Sequence, residues 1–471
     1  MLDDILNRWL RNQLGEDFSF TSGQEEALRM FDQFIRSQGD RPTLLLTGSA
    51  GTGKTFLINI FTRLIKQSGY KVVLLAPTGR AAKVITKRSK RLAFTIHHHI
   101  YSPMEGYDGG ITFQTKENKE PRQVVYIIDE ASMIGGDEGG GNNLLMDVLR
   151  YVFGSGNGHR LILVGDPVQL PPVGHNDSPG LNAGTLVNMA GLDIFHAHLS
   201  EVKRQEIDSG VLEGAVTIRD AYLEQNPGEL HLSPNREVQV LDNPWEALET
   251  YLGYYDPGNL DRVIFLTYSN FQATKVNQAI RKSLWETEEM VIEGDLLMVV
   301  RNNYTWGDSK KIPFLANGEM GTVVHVNRDS YEQKYGLQWM DVEIEFEDRQ
   351  GEALIIECKI VLDLLTNKAA QLTNEQMHHI RMLRAQEYVG LSKSQAMQLM
   401  RTDPYANALQ VKYGYAVTGH KAQGGQWENV IVIFEPDYGN DPLAYVRWSY
   451  TVFTRAEERV FMLNCPFVDA W

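Results

Sequence analysis

The chain has 471 residues, a formal net charge of −15, 43% hydrophobic residues and two cysteines. That length exceeds one ordinary core and, at about 150 residues per domain, implies roughly three. No run approaches the ~18 apolar residues of a membrane span, the acidic start Met1-Leu2-Asp3-Asp4 is unlike a secretory signal, and Cys358 and Cys465 alone make neither a disulfide framework nor a zinc site, so the expected setting is a reducing cytoplasm with no membrane partner.

Residues 1 to 40 read as helical, with Ala27, Leu28, Phe31, Phe34 and Ile35 on one apolar stripe. Ser22 is the expected N-cap of the second helix because Glu25 follows at capping-box spacing. Gln24, beside it, reads on its own as a solvated helix residue. The apolar run Thr43 to Thr47 then delivers Gly48-Ser49-Ala50-Gly51-Thr52-Gly53-Lys54-Thr55 to a helix over Phe56 to Gln67. This is a complete P-loop between strand and helix. Its glycines permit a bend whose backbone N–H groups turn around phosphate oxygens. Lys54 supplies a point charge for the outer phosphates, and the Thr55 hydroxyl can ligate magnesium. The cofactors expected are ATP and Mg2+.

Lys71 to Ala76 reads as a buried parallel strand that turns at Pro77-Thr78-Gly79-Arg80 into a basic helix. Net acidity argues against a nucleic-acid partner, yet a groove needs only a local basic lining. Arg80, Lys83, Lys87, Arg88, Lys90 and Arg91 make such a cluster, which also fits a solvated helix face. Ligands of parallel sheets collect at the C-terminal strand ends, so Thr78 faces the same edge as the P-loop.

Residues 95 to 123 interrupt the alternation of strand and helix. His97, His98 and His99 are adjacent and cannot converge on one ion. Tyr101 to Gln123, with the turn signal Asp108-Gly109-Gly110, reads as an inserted hairpin. The strand Gln123 to Ile128 ends in Asp129-Glu130, where Asp129 can hold magnesium and Glu130 can deprotonate an attacking water. Asp137 to Asn143 is a Gly-rich loop. The strand Arg160 to Val164 leads into Gly165-Asp166-Pro167-Val168-Gln169-Leu170-Pro171-Pro172-Val173, an extended loop fixed by its prolines. Its Gln169 amide is suited to reporting on a third phosphate.

A second alternation starts at Asp261 with the strand Val263 to Thr267 and the helix Gln272 to Trp285. Its further strands, Lys412 to Thr418, Val430 to Phe434 and Val460 to Leu463, come much later. Between them, about residues 290 to 405 form an insertion. Its first part alternates strictly at Asp341 to Phe346 and reads as a small antiparallel barrel. The second, Thr373 to Leu399, is helical and polar. The fold class expected is α/β with two parallel sheets.

These segments stand in a known order. Gly48 to Thr55, Ala76 to Ala82, Asp129 to Met133, Gly165 to Val173, Val202-Lys203-Arg204-Gln205, Val417 to Gly424 and Tyr450 to Ala456 resemble the motifs of superfamily 1 helicases, of the RecD-like and Dda-like branch. The resemblance spans about residues 20 to 465. It implies two RecA-like domains, 41–200 and 201–289 plus 406–471, behind a helical region 1–40. The insertion 290–405 then resembles an SH3-like barrel with a helical arm. By the same resemblance Gln24 recognises adenine, Arg204 and Arg455 reach the γ-phosphate, and Thr78, His97, Thr418, His420 and Lys421 lie along a single strand. The hairpin corresponds to a separating pin, with Phe113 at its stacking tip. One departure is Phe453, where the family usually carries a smaller residue.

The implied activity is ATP-driven 5′ to 3′ movement on single-stranded DNA with opening of duplex junctions. RNA in place of DNA is the alternative, since a grip on phosphates is largely blind to the sugar. An inactive clamp is disfavoured by the intact Lys54, Asp129, Glu130, Gln169 and Arg455.

Overall fold

The computed structural model describes residues 19–105, 111–135, 143–201, 209–307, 314–348, 351–435 and 441–468. The chain enters through the helix Ser22–Arg36 and the strand β1 (Pro42–Gly48), followed by β2 (Lys71–Ala76) and β3 (Ala93–Thr95). A hairpin of β4 (Tyr101–Glu105) and β5 (Ile111–Thr115) comes next, then β6 (Val124–Ile128), β7 (Arg160–Gly165) and β8 (Asp193–Leu199). These strands, the hairpin excepted, form one parallel sheet in the order β3-β2-β6-β7-β1-β8.

Leu44 and Leu46 of β1 meet the helices Ser22–Arg36 and Lys54–Gln67 on one face, where Phe31 and Phe61 stack at 4.4 Å. Leu45 meets the helix Leu144–Phe153 on the other. Burial of both faces explains why these strands read as unbroken apolar runs. The helix Ser22–Arg36 starts at the residue expected as its cap, one position early. Thr21 is the N-cap and Gln24, rather than Glu25, closes the capping box.

The second sheet is built from β9 (Val238–Leu241), β10 (Val263–Thr267), β16 (Ala416–Thr418), β17 (Trp427–Ile433) and β18 (Ala456–Leu463), all parallel, in the order β16-β10-β17-β18-β9. Between β10 and β16 lies an antiparallel sheet of β11 (Leu296–Val299), β12 (Met320–Lys334), β13 (Leu337–Glu347), β14 (Ala353–Val361) and β15 (Val411–Tyr413). Its order is β14-β13-β12-β11-β15, and a bridge between Ile360 and Leu409 brings its two ends together.

The run Lys412 to Thr418, expected as a single strand, is therefore two. β15 completes the antiparallel sheet against β11, and β16 pairs with β10 in the parallel one. The chain changes sheets at Gly414, where a Cβ would lie 3.0 Å from Leu296 Cγ. The helices Asn374–Glu387 and Lys393–Arg401 lie between β14 and β15, the first anchored by a buried ion pair between Arg384 and Asp403 at 2.6 Å. Among the described residues no helix is long and apolar enough to cross a membrane.

Candidate functional site

Three C-terminal strand ends of the first sheet carry the nucleotide motifs. β1 opens into the phosphate loop, whose Gly51 and Gly53 have φ of 75° and 90°, a region L side chains rarely adopt. A Cβ on Gly48 would lie 2.8 Å from both Leu199 Cβ and Thr52 Oγ1, so the loop is tight as well as bent. Lys54 Nζ donates to the carbonyls of Gly48 and Ser49, at 2.7 Å each. Thr55 is the second residue of the helix Lys54–Gln67, at the end where the dipole favours anions. Gln24 is fully buried and donates through Nε2 to Thr52 O at 3.2 Å, so its amide braces the loop itself.

At the end of β6, burial and the neighbouring Glu130 push the Asp129 carboxyl up to about 7. The Glu130 backbone N–H donates to Asp129 Oδ1 at 2.9 Å, and Glu130 has a left-handed φ of 54°. β7 ends at Gly165, and Gln169 beyond it is buried with its Oε1 unpartnered. An acceptor left bare in a buried site fits a hydrogen-bond donor such as water. The loop's tight glycines, Lys54 and the Asp129 carboxylate likewise suit a magnesium-bound triphosphate.

The second sheet reaches this site through the helix Pro442–Phe453. Tyr450 accepts the Ala50 N–H at 2.9 Å and donates to Asp166 Oδ2 at 2.6 Å. Arg447 donates to the carbonyls of Gln169, Asn176 and Pro167 at 2.8, 2.7 and 2.8 Å. Leu170 is held from both directions, its N–H by Thr451 Oγ1 at 2.9 Å and its carbonyl by Gln423 Nε2 at 2.7 Å. Sequence reasoning missed Arg447 and Tyr450 as individual residues. Arg455 is buried and donates to Thr451 O, Gly425 O and the Thr454 hydroxyl, all in its own half. Arg204 lies outside the described residues.

The strand-contact residues divide between the two sheets. Thr78, two residues beyond the end of β2, caps the helix Gly79–Ser89, accepting the Ala81 N–H at 3.2 Å. Thr418 ends β16 as the N-cap residue of the turn Gly419–Ala422, which carries His420 and Lys421. Burial lowers His420, and burial plus the charge of Lys412 lower Lys421 to about 8.

The basic cluster divides, with Arg80 and Lys83 half-buried against the rest of the chain and Lys87, Arg88 and Lys90 exposed. Arg80 pairs with Asp261 at 2.8 Å and stacks 3.8 Å from the Trp427 ring, Lys83 donates to Glu347 O at 2.7 Å, and Arg88 pairs with Glu457 at 3.1 Å. Arg80, Lys83 and Arg88 thus fasten the helix Gly79–Ser89 to the rest of the chain, while the exposed Lys87 and Lys90 fit a solvated helix face.

The three histidines diverge. His97 packs on Tyr101, His98 on Phe94 and Phe314, and His99 on Tyr126 and Tyr151. Burial holds His99 down at about 4. In the hairpin, Phe113 pairs with Pro103 within the strands and its ring meets Tyr304 at 4.7 Å. It belongs to the hairpin's body, and the turn residues 106–110 lie outside the described residues.

The chain carries an α/β architecture of two RecA-like parallel sheets, with a phosphate loop on the first. The AAA domain family matches residues 32–175, and the UvrD-like helicase C-terminal domain matches residues 413–463. An uncharacterized protein of Methanocaldococcus jannaschii is 25% identical over 480 residues, covering 93% of this chain and 38% of its own. The ATP-dependent DNA helicase Dda of Enterobacteria phage T4 is 26% identical over 286 residues, 59% of this chain and 60% of that protein. The chain thus spans less than two thirds of either relative, 38% of one and 60% of the other. The Pif1 helicase from Bacteroides, in complex with ADP-AlF3 and ssDNA, aligns over 95% of this chain and 93% of that one, at 15% identity and a TM-score of 0.48.

Proposed function

We propose that the protein is an ATP-dependent DNA helicase and translocase of the RecD-like and Dda-like branch, moving 5′ to 3′ on single-stranded DNA and opening duplex junctions. The observation that carries this reading is the bonding of the nucleotide motifs on one sheet to a helix of the other, through Tyr450 and Arg447. A nucleotide in such a cradle touches both halves, and Thr78 and Thr418 stand at the strand-to-helix turns of those same halves. The ATP-dependent DNA helicase activity of the phage T4 relative points the same way.

In the proposed cycle the loop's N–H groups bind phosphate oxygens, and Lys54 leaves the Gly48 and Ser49 carbonyls for the outer phosphates. Magnesium, held by Thr55 and Asp129, would neutralise charge on the transferring phosphoryl group. Glu130 takes the proton of the attacking water and Gln169 orients it. Gln24, whose amide bonds the loop at Thr52 O, is the proposed adenine contact. Arg455 exchanges its bonds to Gly425 O and Thr454 for the γ-phosphate, joined by Arg204, since planar guanidinium forks suit phosphoryl oxygens. That exchange moves the second sheet against the first. The grip of Thr78 and His97 then advances relative to that of Thr418, His420 and Lys421. The hairpin carrying Phe113 splits the duplex, at roughly 1.4 kcal/mol per base-pair step.

The test is ATP hydrolysis with and without single-stranded DNA or RNA, with Glu130→Gln as control, followed by unwinding of duplexes bearing a 5′ or a 3′ tail. Stimulation by DNA, loss of turnover by roughly 10²–10⁴-fold in the variant and unwinding from the 5′ tail alone are expected. Hydrolysis indifferent to both nucleic acids sinks the reading, and stimulation by RNA alone moves the substrate.

A further inference from the structure

The helix Ile96–Ile100, which carries the three histidines, runs directly into the hairpin. Tyr101 and Thr115 make the hairpin's first cross-strand pair, and Lys116 is the next residue out. Its backbone N–H donates to Ile100 O at 2.6 Å, while its side chain turns back along the helix and donates through Nζ to His98 O at 2.9 Å and His99 O at 3.2 Å. The last carbonyls of a helix have no partner within it and stand at the negative end of its dipole, so an ammonium is a matching cap. Burial lowers the Lys116 pKa, with no carboxylate among the described residues beside it to raise it. Half-buried, the charge is answered by these carbonyls.

The hairpin's other strand has its own tie. Tyr101, buried, donates its hydroxyl to the buried Asp147 Oδ2 at 2.8 Å, on the helix Leu144–Phe153. Farther out, the Phe113 ring meets Tyr101 and Tyr304. Ring contacts of this kind are weakly directional and let a hairpin slide, whereas hydrogen bonds to fixed carbonyls set its angle. A two-stranded hairpin has little stiffness of its own. Without the ammonium it can pivot about the Tyr101–Thr115 pair, and a wedge that pivots yields to the duplex instead of parting it. Accepting the helicase reading, on which this step rests, we infer that Lys116 is a positioning residue: it locks the hairpin to the helix carrying His97, so that advance of the gripped strand becomes opening of base pairs. It acts through the hairpin, not on DNA.

The test compares wild type with Lys116→Met, which keeps the apolar stem without the charge, and with Lys116→Arg, which keeps a cation. Thermal melting checks folding first, and Lys116→Gln, which retains one donor, replaces a Met variant that does not fold. Three rates are then measured: DNA-stimulated hydrolysis, movement on single-stranded DNA read by release of streptavidin from a biotinylated end, and unwinding of A·T-rich and G·C-rich forks. In the Met variant hydrolysis and movement should stay within about twofold of wild type, because the phosphate loop and the proposed strand contacts are untouched. Unwinding should fall about tenfold, the effect of losing a charged hydrogen-bond donor. The loss should be deeper on the G·C-rich fork, whose steps resist the wedge more strongly. Lys116→Arg should recover most of the unwinding.

A lysine that serves the fold alone would lower all three rates together, and that outcome overturns the inference. Unwinding unchanged in the Met variant overturns it too, as does a loss of the same factor on both forks, which would place the defect before strand separation. A wild-type protein that neither moves on single-stranded DNA nor opens a fork would instead count against the helicase reading, whatever the Lys116 variants do.

Discussion

The hydroxyl of Tyr450 accepts the backbone N–H of Ala50 at 2.9 Å, so a side chain of the second sheet occupies a donor of the phosphate loop. Burial and Asp166 hold the phenol well above its ordinary pKa, which keeps it protonated and donating to Asp166. A phosphate oxygen that uses the Ala50 N–H has to displace this hydroxyl, and the displacement is felt by the helix Pro442–Phe453.

Tyr450→Phe removes the competitor while keeping the ring. A neutral hydrogen bond contributes about 1 kcal/mol net, so a non-hydrolysable ATP analogue should bind roughly fivefold tighter in the absence of DNA. Stimulation by DNA should shrink, because nucleotide arrival no longer disturbs the second sheet. Calorimetric titration of the variant checks the first effect. Unchanged affinity would show that phosphate does not use this donor.

Arg447 is the second tie, with one guanidinium serving three carbonyls of the Gln169 loop and its continuation. Arg447→Ala leaves those carbonyls without their donor and should cost at least about 2 kcal/mol of stability. More telling is the kinetic pattern. Nucleotide affinity should stay within about threefold while DNA-stimulated turnover falls more than tenfold, because Gln169 loses its support. Arg447→Lys should not restore turnover, since one ammonium lacks the fork geometry. Steady-state kinetics at saturating DNA separate the two quantities.

What was legible in the sequence was local. The P-loop, Asp129-Glu130 and the Gln169 loop each carry their chemistry within a few consecutive residues, and the unbroken apolar strands before them announce a buried parallel sheet. What stayed hidden depends on distant partners. Arg80 resembles any helix-surface cation until Asp261, 181 residues on, and Trp427 are seen around it. Arg447 bonds only backbone carbonyls, which no sequence pattern marks. Gly414 gave no sign that one apolar run serves two sheets. The edge strand β8 went unread because His196 and His198 alternate with its apolar residues, and β9 because it is four residues long.

Phe453 illustrates a departure that the fold absorbs. Its side chain is fully buried, and facing it is Gly214 of the helix Gly210–Leu223, where a Cβ would come within 3.1 Å of the ring. Phe453→Ala empties that space and should cost about 3–5 kcal/mol. Gly214→Ala gains about 1 kcal/mol in helix propensity but presses on a ring with no room to retreat, so it should be neutral to destabilising. Gly214→Ala combined with Phe453→Leu should recover the propensity gain. Denaturant melts of the three variants measure this coupling, and additive effects would mean that the two sites do not share the space.

With Lys421 on the proposed strand contact, DNA binding should depend on pH. Burial and the nearby charge of Lys412 lower it to about 8 from an ordinary 10.5, and Lys412 is itself held at about 8 by burial. Between about pH 8 and 10.5 the unfolded chain holds more protons than the folded one at these two groups, so stability should rise with pH across that window. A phosphate beside Lys421 favours its charged form, so DNA binding in the same window should take up a proton and weaken as pH rises. Lys421→Met should bind more weakly at pH 7 and lose most of this dependence, while its stability should vary less between pH 8 and 10.5. Anisotropy titrations at pH 7, 8 and 9, repeated in buffers of different ionisation enthalpy by calorimetry, read both affinity and proton uptake. A wild-type affinity flat across these values would remove Lys421 from the strand contact.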